Sequence, residues 1–295
     1  MLHNPSILVT GGHGQLATAL AGQEGVMRVG RPDFDFDRPE TIDQIMAENT
    51  PEFVVNAAAW TAVDAAETDA EGAARANHAG PARLAAACRA RGIPLIHIST
   101  DYVFSGDKGS PYMETDPVDP RSVYGSTKAA GEQAVMAAQP DSIILRTAWV
   151  YSPYNRNFVR TMVEAAARRP TLRVVSDQIG NPTSADALAQ AIMHIIRQIR
   201  KTGWKTDYAG IYHAAGQGAT SWYDLACAAV AAAARHGNPQ PVMEPITTAD
   251  WPTPARRPAD ARLDCTRLKE TFGHAPGPWQ PEVERVVELI LSQQG

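Results

Sequence analysis

The sequence predicts an α/β fold, a doubly wound parallel sheet followed by a smaller C-terminal domain. Three observations point to it. Over residues 1–150, short apolar runs rich in β-branched residues alternate with segments of helical period, the pattern that right-handed strand-helix-strand crossovers require. The first such run, Ser6-Ile-Leu-Val-Thr10, leads straight into a glycine turn and a helix pattern. Beyond residue 150 the composition changes, with helices expected near 158–169, 185–199 and 221–235 and short strands near 172–176 and 211–213. Residues 151–295 are therefore assigned mainly to the second domain, with contributions to the first returning from about 172–214.

Composition narrows the function classes. Charged residues make up 20% of the 295 and the net charge is −5, so no basic field calls for nucleic acid or an anionic membrane. Cys88, Cys227 and Cys265 are scattered and odd in number, which argues for a reducing compartment without a disulfide framework. No apolar run approaches the ~18 residues of a membrane span, and no charged and apolar leader precedes the first strand. A soluble cytoplasmic protein is expected. The eight histidines show no ligand spacing, so no metal centre is expected from protein side chains alone.

Taken in order, Gly11-Gly-His-Gly14-Gln-Leu-Ala17 sits where a dinucleotide turn belongs, between strand and helix. Glycines let the backbone approach a pyrophosphate, whose charge suits the helix N-terminus. The second strand is expected at 26–30. An acid at its end would bond ribose hydroxyls, whereas Arg31 suits a 2′-phosphate or is simply a solvated arginine beside Pro32. Asp35 and Phe36 follow, placed to hold an adenine through a carboxylate and an aromatic edge. Asp37 and Glu40, flanking Pro39, read as a capping box for a helix with apolar positions Ile42, Ile45 and Met46.

A buried strand is expected over 53–59, ending in Ala57, Ala58 and Ala59, whose small side chains let a cofactor lie against the backbone. Residues 60–67 form a loop entering a helix, in which Trp60 and Val63 either pack or face a ligand. An alanine-rich helix over 79–91 closes on Gly92. The strand 95–100 then delivers Thr100 at its end, and Asp101 either orients a hydroxyl or caps the turn.

Tyr124 and Lys128 stand four apart at the start of a predicted helix, so phenol and ammonium share one face. A neighbouring cation favours phenolate and is expected to pull the tyrosine down from ~10 toward the operating pH of an acid catalyst. The strand 142–147 is followed by Trp149, which either stacks on a ligand ring or packs in the core. Ligands bind beyond the carboxyl ends of parallel strands, so Thr100 and Trp149 should flank one crevice. Proline thickens over 238–258 into an expected long loop carrying Arg256 and Arg257, either a diphosphate clamp or solvated charge.

The combination of glycine turn, upstream hydroxyl and Tyr124-Gly-Ser-Thr-Lys128 resembles the extended short-chain dehydrogenase/reductase superfamily, whose dinucleotide-binding domain is of the Rossmann type. Longer phrases are more specific. They are Asn56-Ala-Ala-Ala-Trp-Thr-Ala-Val-Asp64, Ser99-Thr-Asp-Tyr-Val-Phe104, Arg146-Thr-Ala-Trp-Val-Tyr151, Asp177-Gln-Ile-Gly-Asn-Pro-Thr183, Gly210-Ile-Tyr-His213 and Pro254-Ala-Arg-Arg-Pro258. Together they resemble the dTDP-4-dehydrorhamnose reductase family over essentially the whole chain.

The resemblance implies reduction, by NADPH or NADH, of a 4-keto sugar nucleotide in the synthesis of dTDP-L-rhamnose for cell-surface polysaccharide. It makes Tyr124 the proton donor, Lys128 the ribose anchor and Thr100 the carbonyl polariser. Gly11, His13, Gly14, Gln15 and Leu16 would wrap the pyrophosphate, with Asp35, Phe36, Ala58 and Ala59 along the adenosine. Thr61, Val63 and Trp149 would face the deoxysugar, and Arg256 and Arg257 the diphosphate. Some members form a magnesium-bridged dimer through an acid in the first helix. Ala19 occupies that position here, which leaves magnesium open and implies a monomer or weak homodimer. The same scaffold also serves nucleotide-sugar epimerases, dehydratases and a non-catalytic regulatory subunit. The single carboxylate in Thr100-Asp101-Tyr102 is unlike a dehydratase's acid pair.

Overall fold

The buried runs pair as their alternation requires. A computed structural model of the chain describes residues 6–293. Its first half runs β1 (Ile7–Thr10), α1 (Gln15–Ala21), β2 (Val26–Val29), α2 (Pro39–Glu48) and β3 (Phe53–Asn56). It continues through α3 (Val63–Ala66), α4 (Ala70–Ala74), a π-helical turn (Arg75–Ala79), α5 (Gly80–Arg89), β4 (Leu95–Thr100), α6 (Val123–Ala138) and β5 (Ser142–Thr147). The second half adds β6 (Val150–Tyr151), α7 (Phe158–Ala166), β7 (Thr171–Val175), β8 (Ile179–Gly180), β9 (Thr183–Ser184) and α8 (Ala185–Thr202). It ends with β10 (Gly210–His213), β11 (Thr220–Ser221), α9 (Trp222–Ala234), β12 (Val242–Ile246), α10 (Thr266–Phe272) and α11 (Trp279–Ser292).

The central sheet is six-stranded and wholly parallel, in the order β10-β5-β4-β3-β1-β2. Because strand side chains alternate, each buried strand feeds two layers. Ile7, Val9, Phe53, Val55, Ile143 and Leu145 pack with α1 and α8 on one face. Leu8, Val54, Leu95 and Ile144 pack with α2, α5 and α6 on the other. From β1 the chain steps outward to β2 and then returns past β1 to β3, so the strand order reverses between β1 and β3 and opens a crevice there. A third cluster joins α7, α9 and α11 through Val163, Leu225, Ala229, Val283, Val287 and Ile290.

Several boundaries differ from expectation. The sheet's sixth strand is β10, from residues 210–213; β7, expected nearby in sequence, pairs instead with β12 in a separate two-stranded sheet. β12 interrupts the expected long loop, and its Pro245 is tolerated because the strand pairs on one side only. β3 stops at Asn56, leaving Ala57–Ala59 as irregular backbone at the sheet's end. The helix ahead of Gly92 begins at Ala70, capped by Asp69. Gly72 and the weak helix formers Asn77 and His78 hide that start from a propensity reading. The capping box at α2 does not form: Asp37 takes the Arg75 guanidinium at 2.8 Å, and Thr41 Oγ1 donates to the Arg38 carbonyl at 2.7 Å instead. Ile42, Ile45 and Met46 are buried as their spacing requires.

One buried ion pair ties α6 to the sheet. Arg146 in β5 donates to both carboxylate oxygens of Glu132, at 2.8 and 2.6 Å, and lies over the Phe104 ring. Both side chains are almost fully buried, so removing one strands the other's charge. Arg146→Met is expected to lower the unfolding free energy by about 3–5 kcal/mol in urea titration, with Glu132→Leu added to it restoring most of the loss. A single-variant loss below about 1 kcal/mol would show that the pair does not clamp the helix.

Candidate active site

A cavity of about 790 Å³ runs along the carboxyl ends of β1, β3, β4 and β5, where the strand order reverses. One end is made of backbone. Gly11 has φ +107°, and a Cβ on it would lie 2.8 Å from the Ala57 carbonyl oxygen. A Cβ on Gly30 would collide with Gly12 Cα. Three backbone segments therefore touch, and no side chain stands between them and a phosphate group. This wall fits a dinucleotide pyrophosphate, and Gly11, His13, Gly14, Gln15 and Leu16 all line it.

Gln15 is turned away from the turn. It donates to the Val150 carbonyl at 3.3 Å and accepts from Ser152 Oγ at 2.7 Å, joining the first helix to the segment after β5. Asn155, which lines the cavity too, donates to the His13 carbonyl.

Arg31, Asp35 and Phe36 lie along the next stretch of wall. The Arg31 side chain is 77% exposed, with Nε 3.8 Å from Asp35 Oδ1, a loose pair that leaves the guanidinium able to turn to a ligand. Phe36 packs on Gly80, the first residue of α5, where a Cβ would overlap its ring. Ala58 and Ala59 complete this half, and Ala58 N is held by Thr10 Oγ1 and Asn56 Oδ1. The loop bearing Thr61 and Val63 is pinned by Asn77. That side chain accepts from Trp60 N at 2.8 Å and donates to Trp60 O and to Thr127 Oγ1 at 3.2 Å. Only its burial among helix residues far along the chain identifies Asn77, and the sequence reading missed it.

At the other end of the cavity stand Thr100, Tyr124 and Lys128. Thr100 Oγ1 donates to Asp101 Oδ1 at 3.0 Å and accepts from Tyr102 N at 3.2 Å. Of the two readings of Asp101 the geometry fits the first: the threonine caps the turn and the aspartate accepts from the hydroxyl. Tyr124 packs edge-on against Tyr102, ring centres 5.5 Å apart. Lys128 is 2% exposed, and its Nζ donates to the Ile98 carbonyl at 2.6 Å with His97 Nε2 at 3.5 Å.

The expected fall in the tyrosine's pKa is not found. Burial pushes the Tyr124 phenol up to about 12, against a downward pull from the Thr100 hydroxyl. Burial also draws Lys128 down to about 8, with Glu132 opposing. Desolvation disfavours each charged form, and residue spacing carries no sign of it. Asp101 follows the same rule: burial raises its carboxyl to about 7, while hydrogen bonds from Thr100 and the backbone lower it. Among the described residues, Asp101 Oδ2, Ser99 Oγ and Thr147 Oγ1 are buried with no hydrogen-bond partner, on residues that line the cavity.

Trp149 lines the same cavity at φ +46° and stacks on Trp222, with ring centres 3.6 Å apart and planes 9° from parallel. The 177–183 motif builds this pair. A Cβ on Gly180 would come within 2.5 Å of the Trp149 ring, and Gln178 Oε1 accepts from Trp222 Nε1 at 3.2 Å. Trp222 went unremarked in the sequence because only the stack reveals it.

The two arginines are the exception. Arg257 donates to both oxygens of Asp64, at 3.1 and 2.8 Å, and Arg256 is exposed; neither lines the cavity. Among the described residues no group of three His, Cys, Asp or Glu side chains is placed to hold a metal, and no helix is long and apolar enough to cross a membrane.

A parallel sheet with a side-chain-free glycine cradle at one end of its crevice and Thr100, Tyr124 and Lys128 at the other defines an oxidoreductase of the short-chain dehydrogenase type. The family described as RmlD substrate binding domain matches residues 5–291. A dTDP-4-dehydrorhamnose reductase of Sinorhizobium fredii is 41% identical over 289 residues, 97% of each chain. The crystal structure of a dTDP-4-dehydrorhamnose reductase from Clostridium acetobutylicum superposes with a TM-score of 0.89 at 34% identity, covering 97% of this chain and 99% of that one. The Bacillus anthracis enzyme, solved in complex with NADP, gives 0.86 at 30% identity, over 95% and 97% of the two chains. The chain belongs to the dTDP-4-dehydrorhamnose reductase family.

Asp101 makes a pH test. Its folded pKa of about 7 lies above the ~3.9 of an unfolded aspartate, so the folded chain holds a proton that the unfolded chain has lost. That stabilisation is complete below pH ~3.9 and disappears as pH rises through about 7. Asp101→Asn should therefore gain Tm relative to the parent between pH 5 and pH 8. A Tm difference that stays flat over this range would rule the buried acid out.

Proposed function

We propose that the protein reduces the C4 ketone of dTDP-4-dehydro-β-L-rhamnose (dTDP-6-deoxy-L-lyxo-4-hexulose) to dTDP-L-rhamnose, the last step of dTDP-rhamnose synthesis. NADPH is the preferred cofactor and NADH a possible substitute. One observation carries this reading: the Thr100, Tyr124 and Lys128 side chains share a cavity with a glycine cradle fit for a dinucleotide, in a chain of this family.

When bound, the nicotinamide supplies the hydride that reaches C4. The chain's own residues do the rest. A phenol at about 12 is fully protonated at neutral pH, so Tyr124 stands ready to donate to the ketone oxygen. Lys128, one turn along, places an amine where it stabilises the phenolate left behind. The Thr100 hydroxyl, oriented by Asp101, polarises the carbonyl. Gly11, His13, Gly14, Leu16 and the backbone of Gln15 cradle the pyrophosphate, with Asp35, Phe36, Ala58 and Ala59 along the adenosine. The stacked Trp149 and Trp222 form an apolar wall for the deoxysugar, opposite Thr61 and Val63. Arg257 acts through Asp64, tying the 253–257 loop to the helix beside that wall.

We read the enzyme as cytoplasmic, and as a monomer or weak homodimer. Ala19 is buried in the α1–α8 packing at the position where magnesium-bridged members carry an acid.

Two measurements test these roles. Tyr124→Phe is expected to bind NADPH normally and to lose about 10²–10⁴-fold in kcat, followed by NADPH absorbance with enzymatically generated 4-keto sugar nucleotide. Near-parental turnover would refute the proton donor. For the cofactor, Arg31→Ala should lower the ratio of kcat/KM for NADPH over NADH by about tenfold or more, the worth of a charged hydrogen bond. A ratio that does not move would take Arg31 out of the 2′-phosphate site.

A further inference from the structure

Beneath the catalytic residues runs a chain of buried polar side chains that the roles above leave unexplained. It starts at Thr10, the last residue of β1, crosses the sheet through Asn56 at the end of β3 and His97 in β4, and ends on Lys128 in α6. All four are between 0 and 2% exposed. Thr10 Oγ1 donates to Asn56 Oδ1 at 2.6 Å, and Asn56 Nδ2 meets His97 Nδ1 at 2.8 Å.

The direction of this chain is determined by its partners. Ala58 N, a backbone donor shared between Thr10 Oγ1 at 3.3 Å and Asn56 at 3.2 Å, would face a second donor if the amide were turned round, so the atom facing it is the amide oxygen. The amide nitrogen therefore faces His97 and donates to Nδ1. A neutral imidazole whose Nδ1 accepts carries its proton on Nε2. That proton faces Lys128 Nζ, 3.5 Å away, while Nζ itself donates to the Ile98 carbonyl. An ammonium would meet the imidazole proton to proton, whereas a neutral amine offers it a lone pair.

We propose that His97 is a positioning residue for the reduction, its Nε2–H held toward Lys128 by the Thr10–Asn56 chain, so that the imidazole sets both the orientation of the amine and its hold on a proton. The proposal rests on the function assigned above and deepens it.

The other groups around the lysine are accounted for. Glu132 lies one turn further along α6 and favours the charged amine, but its own charge is taken up by Arg146, which in turn sits beside His213. Tyr124 lies one turn back, with Asp101 and Tyr102 beyond it. Burial and the lysine's charge together hold His97 well below its ordinary pKa, so the ring remains a neutral donor through the physiological range. The geometry also explains why a histidine occupies a strand position between two core isoleucines: leucine would fill the space but end the chain at Asn56.

The test uses the whole protein and needs no substrate. The sequence has five lysines, few enough for [¹³Cε]lysine spectra to resolve Lys128, which burial draws down to about 8. His97→Gln replaces a donor with an amide oxygen able to accept from the ammonium. It should raise the Lys128 midpoint by about one pH unit or more, with the other four lysines unmoved. An unchanged midpoint would overturn the proposal. Where the variant does not fold, imidazole ¹⁵N shifts of the parent decide the same question: a neutral ring protonated on Nε2 is expected, and an Nδ1-protonated or cationic ring would overturn it. In kinetics, the alkaline limb of kcat should move with the lysine midpoint while KM for ketone and NADPH stays constant. Since the spectra require no turnover, absence of ketone reduction would count against the proposed function and leave this inference standing.

Discussion

A helix that buries a tyrosine, a lysine and a glutamate along one face can dock in one register only. In α6 the buried positions are Tyr124, Gly125, Lys128, Ala129, Gly131, Glu132 and Val135, with Val135 the one large aliphatic among them. Apolar packing alone would hold such a helix loosely. What holds it is close approach and charge. A Cβ on Gly125 or Gly131 would run into the carbonyl oxygens of Tyr102 and Asn77, so the helix lies directly against two backbone turns. Glu132 is locked to Arg146, and Lys128 to the Ile98 carbonyl. Any slip would leave buried charges without partners, at a cost of several kcal/mol each. The placement of Tyr124 relative to the end of β4 follows from that constraint.

The same burial governs the chemistry. Spacing puts a cation one turn from the phenol, and in water that would favour phenolate. In the dry interior both groups lose more by desolvation than they gain from each other, so the phenol is pushed up and the amine down. The fold thus holds a protonated phenol one turn from an amine drawn down to about 8. Asp101 shifts for the same reason, and its second oxygen is buried without a partner, as are Ser99 Oγ and Thr147 Oγ1 nearby.

The part of the cavity around Trp149 is built from far along the chain. Gly180 makes room for Trp149, Gln178 aims Trp222, and Asn181 holds the carbonyls of Gly216 and Gly218 together with Leu263 N. Gln178 also reaches Thr248, and Arg257 reaches back to Asp64. The proline-rich segment is therefore ordered by side-chain hydrogen bonds to both halves of the molecule and by the parallel pairing of β12 with β7. That answers how so long a connection is held without packing as a helix.

Local chemistry was enough to read much of this protein. The apolar runs locate β1, β4 and β5 almost to the residue, the glycines after β1 mark where backbone segments touch, and the tyrosine-lysine spacing puts both side chains on one buried helix face, because each signal lies within a few consecutive residues. What needed the fold were relations between segments far apart in sequence. The pairing of β7 with β12 instead of the central sheet, the capture of Asp37 by Arg75, the Arg257–Asp64 pair, the Trp149–Trp222 stack and the Thr10–Asn56–His97–Lys128 chain all join such segments. The protonation of Tyr124, Lys128 and Asp101 belongs with them. Desolvation depends on everything packed around a group, and only the folded chain decides what that is.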